Sequence, residues 1–418
     1  MFAYEAELRD WLKTPQAVSG SSASSEPADQ NKIGGPILLE SDSAPSLRFL
    51  GKWVVLAALS LVFVGGIFLY RNRHHFAAHA SVTGGPRSKP DSRKPANPEA
   101  EDFYLKGRYY WNKRTPEALN QAVDYFTQAI VHDPNYAPAY VGLADCYNLL
   151  REYTLMPPSD AYPRALAAAK KAVELDDQSS EAHASLAFAL FYGMWDVGGA
   201  DREFRRAIEL NPNNSVAHHW YATYLMAVRR FPESFSEIDK ARTLNPSSTA
   251  ILADKGQILL VAGKRNEGLA LLKQMEATEP AFRSPHVYLK GDYLANADYP
   301  NFLIESRKDA LLVHDKLALA ITDAAEKGYA AGGARGLLQN MLREQKKLYA
   351  QSLIPPCALA NTYALLGNKE EALRYLDFAF EQHDASLIGI EDVLEFKALH
   401  NEQGYRAVIQ KMNFPPED

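Results

Sequence analysis

The stretch "ADREFRRAIELNP", residues 200–212, decides the fold. Ala200 is followed four residues on by Phe204, three further on by Ala207, and five later by Pro212. Steps of four and three keep Ala200, Phe204 and Ala207 on one helical face, where small side chains admit a neighbouring helix, and Pro212 stops the helix. The template recurs in "AVDYFTQAIVHDP" (122–134), "ALAAAKKAVELDD" (165–177), "SFSEIDKARTLNP" (234–246), "GLALLKQMEATEP" (268–280) and "ALRYLDFAFEQHD" (372–384). Each preceding helix carries a small residue three before a large one: Gly107 and Tyr110, Ala144 and Tyr147, Ala187 and Leu190, Ala222 and Leu225, Gly256 and Leu259, Ala360 and Tyr363. Pro212, Pro246 and Pro280 are 34 residues apart. A fixed period of this length is the mark of a helix-pair repeat that buries its apolar face only by stacking on its neighbours.

The pattern resembles the tetratricopeptide repeat (TPR) family over residues 100–280 and 353–385. The resemblance implies an all-α fold, a TPR α-solenoid of stacked antiparallel helix pairs. The expected organisation is five TPR-like repeats over 99–280, degenerate helical repeats over 281–352, one further TPR-like repeat over 353–385, and C-terminal capping helices over 386–418. Extra residues around "NKRTP" and "REYTLMPPSDAYP" lengthen turns at little free-energy cost. From 281 to 352 the signature decays, with Asp309 where a small packed residue is expected, although helices around 317–325 and 337–349 persist. "GGARG", residues 332–336, follows a helix and reads as a loop or helix start, not a phosphate-binding turn.

A narrower resemblance rests on "YLKGRYYWNKRTPEALNQAVDYFTQAIVHDPNYAPAYVGLADCYNLL" and "FKALHNEQGYRAVIQKMNFP". These are similar to the TPR half of bacterial transmembrane regulators of the CadC type and of membrane serine/threonine kinases. In those chains an N-terminal winged-helix or kinase domain is joined to the array through one membrane helix. The fifty residues at the start of this sequence are too few and too polar for either domain, and Asn401 and Glu402 replace the Asp-Pro common in the closing motif.

Residues 51–71 are expected to form that membrane helix. "WVVLAALSLVFVGGIFLY", residues 53–70, contains no ionisable group apart from its terminal tyrosine and spans roughly 27 Å as a helix, against a hydrocarbon core of about 30 Å. Trp53, Phe68 and Tyr70 suit the interfacial belts, and Lys52, Arg71 and Arg73 suit the headgroups. A cleaved signal peptide fits less well: about fifty residues precede the run, and "RNRHH" separates it from the small-residue "AHA". Residues 1–50 have the composition of a mostly disordered segment, apart from a short amphipathic stretch "FAYEAELRDWLK", and 72–98 form a Pro/Gly/basic linker. A single-pass protein of a bacterial inner membrane is the expectation, with the bilayer contacted through residues 53–70. The excess of Arg and Lys after the span favours a cytoplasmic array, whereas the regulator resemblance implies a periplasmic one. Because that excess depends on Arg87 and Lys89, more than fifteen residues past the helix, the periplasmic side is the expectation.

The net charge of −6 supplies no basic field for nucleic acid. Cys146 and Cys357 are isolated and read as small buried residues. Nucleotide-binding, metalloprotease and nucleophile-elbow motifs do not occur, and scattered carboxylates make no acid/base pair, so catalytic, cofactor and metal sites are not expected. The neighbours His218 and His219 point about 100° apart on a helix and are expected to divide between packing and exposure. The expected function is non-enzymatic: a membrane-anchored protein-protein interaction scaffold, or a signalling subunit derived from a transmembrane regulator without its DNA-binding domain. Because first helices line the concave face of such arrays, the expected groove for a protein or peptide ligand is Tyr104, Arg108, Trp111, Asp145, Asn148, Phe188, Phe191, Tyr192, His219, Thr223, Met226 and Gln257. The stretch "FALFYGMW" has the competing role of packing between repeats. Oligomeric state is not legible in the sequence.

Overall fold

A computed structural model describes residues 94–390 and 394–412. The expected disordered segment and membrane helix lie outside the described residues. Among those described, no helix is long and apolar enough to cross a membrane.

Helices follow one another in antiparallel pairs: α1 (Pro98–Trp111) with α2 (Pro116–His132), α3 (Ala137–Tyr153) with α4 (Pro158–Leu175), and α5 (Ser180–Phe188) with α6 (Val197–Leu210). They continue as α7 (Ser215–Ala227) with α8 (Phe231–Leu244), α9 (Thr249–Val261) with α10 (Arg265–Thr278), and α11 (Arg283–Ala295) with α12 (Tyr299–Leu312). Then come α13 (Lys316–Tyr349), the pair α14 (Pro356–Leu365) and α15 (Lys369–Glu381), 3-10 turns at Ala385–Leu387 and Leu394–Leu399, and α16 (Gln403–Met412). There is no strand among the described residues. The architecture is an all-α solenoid of stacked helix pairs.

The template residues do what their sizes require. Ala200, Phe204 and Ala207 are all fully buried. Gly107 of α1 and Gly142 of α3 both close on the Phe126 ring of α2, where an added Cβ would lie 2.6 and 2.3 Å from ring carbons. Any larger residue would push the helices apart and open voids that a close-packed interior does not tolerate. Polar residues at the turns fix where helices start: Thr115 accepts from the Ala118 amide, Ser248 from that of Ile251, and Asn214 from those of Val216 and Ala217.

In the segment where the signature decays, stacking persists by other means. Asp309 is buried and accepts from Arg283 at 2.7 Å and from Lys290. Burial opposes its ionisation, but the two cations more than offset this and hold the carboxyl below the usual carboxylate range. Asp292, also buried, takes a two-pronged contact from Arg265 at 2.6 and 2.9 Å. Helix α13 is two antiparallel halves, 316–331 and 334–349, hinged at Gly332 and Gly333. Gly333 sits at φ 57°, ψ −147°, a region open only to glycine. The reversal brings Gly328 against Gly336 so closely that a Cβ on Gly328 would stand 2.2 Å from the Gly336 carbonyl oxygen.

A histidine clamp recurs on the first helices. His183, His218 and His286 each donate Nε2–H to a carbonyl in the preceding turn, at Asp177 (3.1 Å), Pro212 (2.9 Å) and Pro280 (3.0 Å). Their Nδ1 atoms face carboxylates of the paired helices, Glu203 at 2.5 Å, Glu237, and Glu305 at 2.6 Å. Both ring nitrogens meet acceptors, so the imidazolium form satisfies both. Burial works against that charge, yet the carboxylate and carbonyl partners outweigh it and raise all three pKa values. The expectation that one of His218 and His219 is exposed is corrected here. Both are buried, because a second carboxylate, Asp254 on α9, meets His219 Nε2 at 2.6 Å.

Candidate functional site

The first helices of successive pairs turn one face inward, and the array curves until distant segments meet. Tyr153 at the end of α3 donates to Ser284 Oγ of α11 at 3.1 Å, and Ser284 donates on to Glu152 at 3.2 Å. The second closure is near the C-terminus. Helix α5 continues as a π-helical turn, Ala189–Gly193, after which Trp195 adopts a left-handed conformation. Its indole stacks on His383 with centroids 3.7 Å apart, and His383 donates Nε2–H to the Gly193 carbonyl at 3.2 Å.

The inward-facing residues line a chamber of about 570 Å³ that is partly open to solvent. That volume falls within the range of roughly 300–1,000 Å³ typical of small-ligand sites. Seven of the expected groove residues line it: Asn148, Phe188, Tyr192, His219, Thr223, Met226 and Gln257. The other five are placed elsewhere. Phe191 is fully buried against Tyr224, with centroids 4.8 Å apart. Tyr104 packs on Phe126 and Tyr136, and Trp111 is buried beneath the Arg108 guanidinium. Asp145 is buried, contacts Arg108 at 3.4 Å and accepts from Ser185. Burial pushes its carboxyl up to about 6, with Arg108 and Ser185 pulling the other way.

Other residues complete the walls. Arg114, Arg151 and Glu152 come from the first two pairs, Asp254 from α9, Tyr288 from α11, and Asn361, Ile388 and Glu395 from the C-terminal end. Asp254 accepts from both His219 and Tyr288 at 2.6 Å. Burial raises the Glu152 carboxyl, as does the Asp254 charge, while Arg151, Arg283 and Arg114 oppose them. Phe188, Tyr192 and Trp220 form an aromatic wall, with Phe188 4.4 Å from Tyr192 and 4.9 Å from Trp220 between centroids. Asn148 is 1% exposed; its Nδ2 donates to the Ser185 carbonyl at 3.1 Å, and its Oδ1 has no protein partner. The Asn361 Oδ1 is likewise without one.

One cluster has the residue types of a metal site. Glu276, His286 and Glu305 present ligand atoms within 4.8 Å of one another. Lys308 donates to both carboxylates and His286 commits Nε2 to Pro280, so a protein cation already balances the charge.

Repeat period and paired-helix stacking together define the fold class: an α-solenoid of helix pairs with a 34-residue repeat. No family model matches the chain. Residues of the chain are 28% identical over 148 positions to "Transcriptional regulator HilA" of Salmonella typhimurium, covering 35% of this chain and 26% of that protein. They are 25% identical over 316 positions to "DnaJ homolog subfamily C member 7" of Homo sapiens, covering 68% of this chain and 59% of that one. The chain thus spans less than two thirds of either relative. Among solved structures, human IFIT1 bound to m7Gppp-AAAA aligns with a TM-score of 0.48 at 14% identity, over 68% of this chain and 72% of that one.

Proposed function

We propose that the array is the recognition domain of a membrane-anchored interaction scaffold, tethered through residues 53–70 and receiving a protein or peptide ligand in the chamber. The observation that carries this reading is the Asn148 side chain: a buried amide with a free acceptor on an aromatic inner wall. A buried acceptor without a partner costs free energy unless a ligand or water satisfies it. The acidic net charge supports a protein ligand over nucleic acid.

The test is photo-crosslinking in cells. A photoreactive residue at Gln257, in the chamber, should capture a discrete partner that the same residue at exposed Leu311 does not. Equal capture from both positions overturns the reading. Complete release of the chain by carbonate washing overturns the anchor, and protease accessibility of the array in intact and permeabilised cells fixes its side.

The likeness to HilA favours a second reading, a signalling subunit that acts on a regulator in another chain. A contact of residues 1–50 with a cytoplasmic regulator that appears only when the chamber is filled selects this reading. A constitutive envelope complex selects the scaffold.

A further inference from the structure

The concave face already holds a short segment, and the chain itself supplies it. After α15 the chain runs through residues 383–390, "HDASLIGI", with one 3-10 turn at Ala385–Leu387. Ala385, Ser386, Ile388 and Gly389 line the chamber together with Asn148 of α3 and Gln257 of α9. A ligand that fills the chamber therefore meets this strap as well as the helices.

Side chains of the strap divide between two cores. Ala385 belongs to the core that runs from α1 to α7, and Ile388 packs against it. Leu387 and Ile390 are fully buried in the C-terminal core with Phe396 and Leu399. That second core also holds the strap's backbone. Asp384 accepts from the amides of Ser386 at 2.9 Å and Cys357 at 3.2 Å, and Tyr405 donates to the Ile390 carbonyl at 3.0 Å. Toward the first pairs the strap presents side chains: Ala385, Ile388, and the His383 ring, stacked on Trp195 and bonded to the Gly193 carbonyl. His383 is exposed, so water competes for its bond. Among the described residues no helix from α14 onward packs along a helix of the first five pairs. The strap is firmly anchored on one side and lightly docked on the other.

A segment seated by its own chain competes with any outside ligand at the high effective concentration of a tether. An outside segment enters only where the strap has lifted, and its apparent affinity is reduced by that fraction. To replace the strap it must satisfy the same receivers: the flat indole of Trp195, the carbonyl acceptor of Gly193, and the apolar core edge beyond them. His383, Ala385 and Ile388 do so with a ring bearing an N–H, a small residue two positions on and a branched aliphatic residue five positions on. We propose that residues 383–390 are an autoinhibitory strap on the concave face, displaced by a partner protein segment that carries a ring, a small residue and a branched aliphatic residue at this spacing. This rests on the chamber being the recognition site, and deepens that reading by naming the segment a partner carries and the contact it breaks.

The experiment titrates a fluorescent synthetic peptide with the sequence of residues 381–390 into the full-length chain in detergent micelles, followed by anisotropy. His383→Ala weakens the strap from its own side and leaves Trp195 and Gly193 in place, so it should bind the peptide about tenfold more tightly than the unaltered chain. His383→Phe keeps a ring for Trp195 but loses the bond to Gly193, and should fall between the two. Adding Trp195→Ala to His383→Ala should abolish the gain. Amide exchange in His383→Ala should quicken at 385–390 and stay unchanged in α1 to α10. Equal peptide binding by the unaltered and His383→Ala chains, or none by either, overturns the strap. Exchange that quickens through the whole array makes the joint a structural tie and also overturns it. Crosslinking at Gln257 separates the two readings: capture that His383→Ala raises severalfold supports both, capture that it leaves level or lowers overturns the strap alone, and no capture from either chain overturns both.

Discussion

Helices α1 to α10 and the segment from α11 to α13 meet the same demand, close stacking of helix pairs, with different chemistry. The first region fits small residues against large ones, as Gly107 and Gly142 do against Phe126. The second buries Asp309 and Asp292 and neutralises them with Arg283, Lys290 and Arg265. The contrast teaches that a repeat can lose its apolar signature and keep its geometry. The first region also holds buried charged pairs, at Asp145, His183 and His218. Its helix-on-helix contacts nevertheless rest on apolar packing, which is indifferent to pH, whereas the ion pairs that replace it in the second depend on the protonation of both partners.

The largest effect is expected where packing is purely apolar. Phe126→Ala removes a fully buried ring from between two glycines and should cost about 3–5 kcal/mol, read as a shift of the urea midpoint. Asp309→Ala should cost about 3 kcal/mol, at the lower end for a broken buried pair because Arg283 and Lys290 retain some access to water. Replacing Asp309, Arg283 and Lys290 together by apolar residues of similar size should recover most of that loss, since no charge is then left unpaired. If the triple variant is no more stable than Asp309→Ala, the contrast between the regions fails.

Gly333→Ala forces a non-glycine residue into φ 57°, ψ −147° and should cost about 1–3 kcal/mol, with faster amide exchange confined to 316–349. The pH responses sharpen the comparison. The Asp309 pKa is lowered in the folded state, so its contribution is fully present above the unfolded value of about 3.9 and is lost as pH falls through the folded value. Exchange protection in α11 and α12 should therefore fall in acid before that of α1 to α4. The clamp histidines behave oppositely. Their raised pKa values make their stabilisation fully present below about 6.5 and lost as pH rises through the folded values. Melting temperature should decline from pH 6 to 8, and the His183→Gln, His218→Gln, His286→Gln triple variant should flatten that decline.

The solenoid was legible because its rule is local: Ala200, Phe204 and Ala207 lie within one helix, and the 34-residue spacing of the prolines repeats that rule. Asp309 looked like a lapse because the cations that neutralise it lie on another helix, Arg283 at a separation of 26 residues. Seven chamber residues were readable from their positions on first helices. Arg114 was not, since it sits in a turn, and Glu395 and Asn361 were not, since their approach depends on curvature accumulated over the intervening pairs. Asp254 was within reach of the positional argument, three residues before Gln257 on α9. The histidine clamps were also visible as His183, His218 and His286 at multiples of the period, give or take one residue, but a ring that packs and a ring that pairs look alike in sequence.

An unbuckled row of repeats frays from its last unit inward, because each unit is held only by its neighbour. Here the indole of Trp195 and the imidazole of His383 fasten the tail of the row to its middle, across 188 residues of chain. Peeling away α15 and α16 therefore means tearing a joint on the third helix pair at the same moment. The row melts as a hoop, not as a strip.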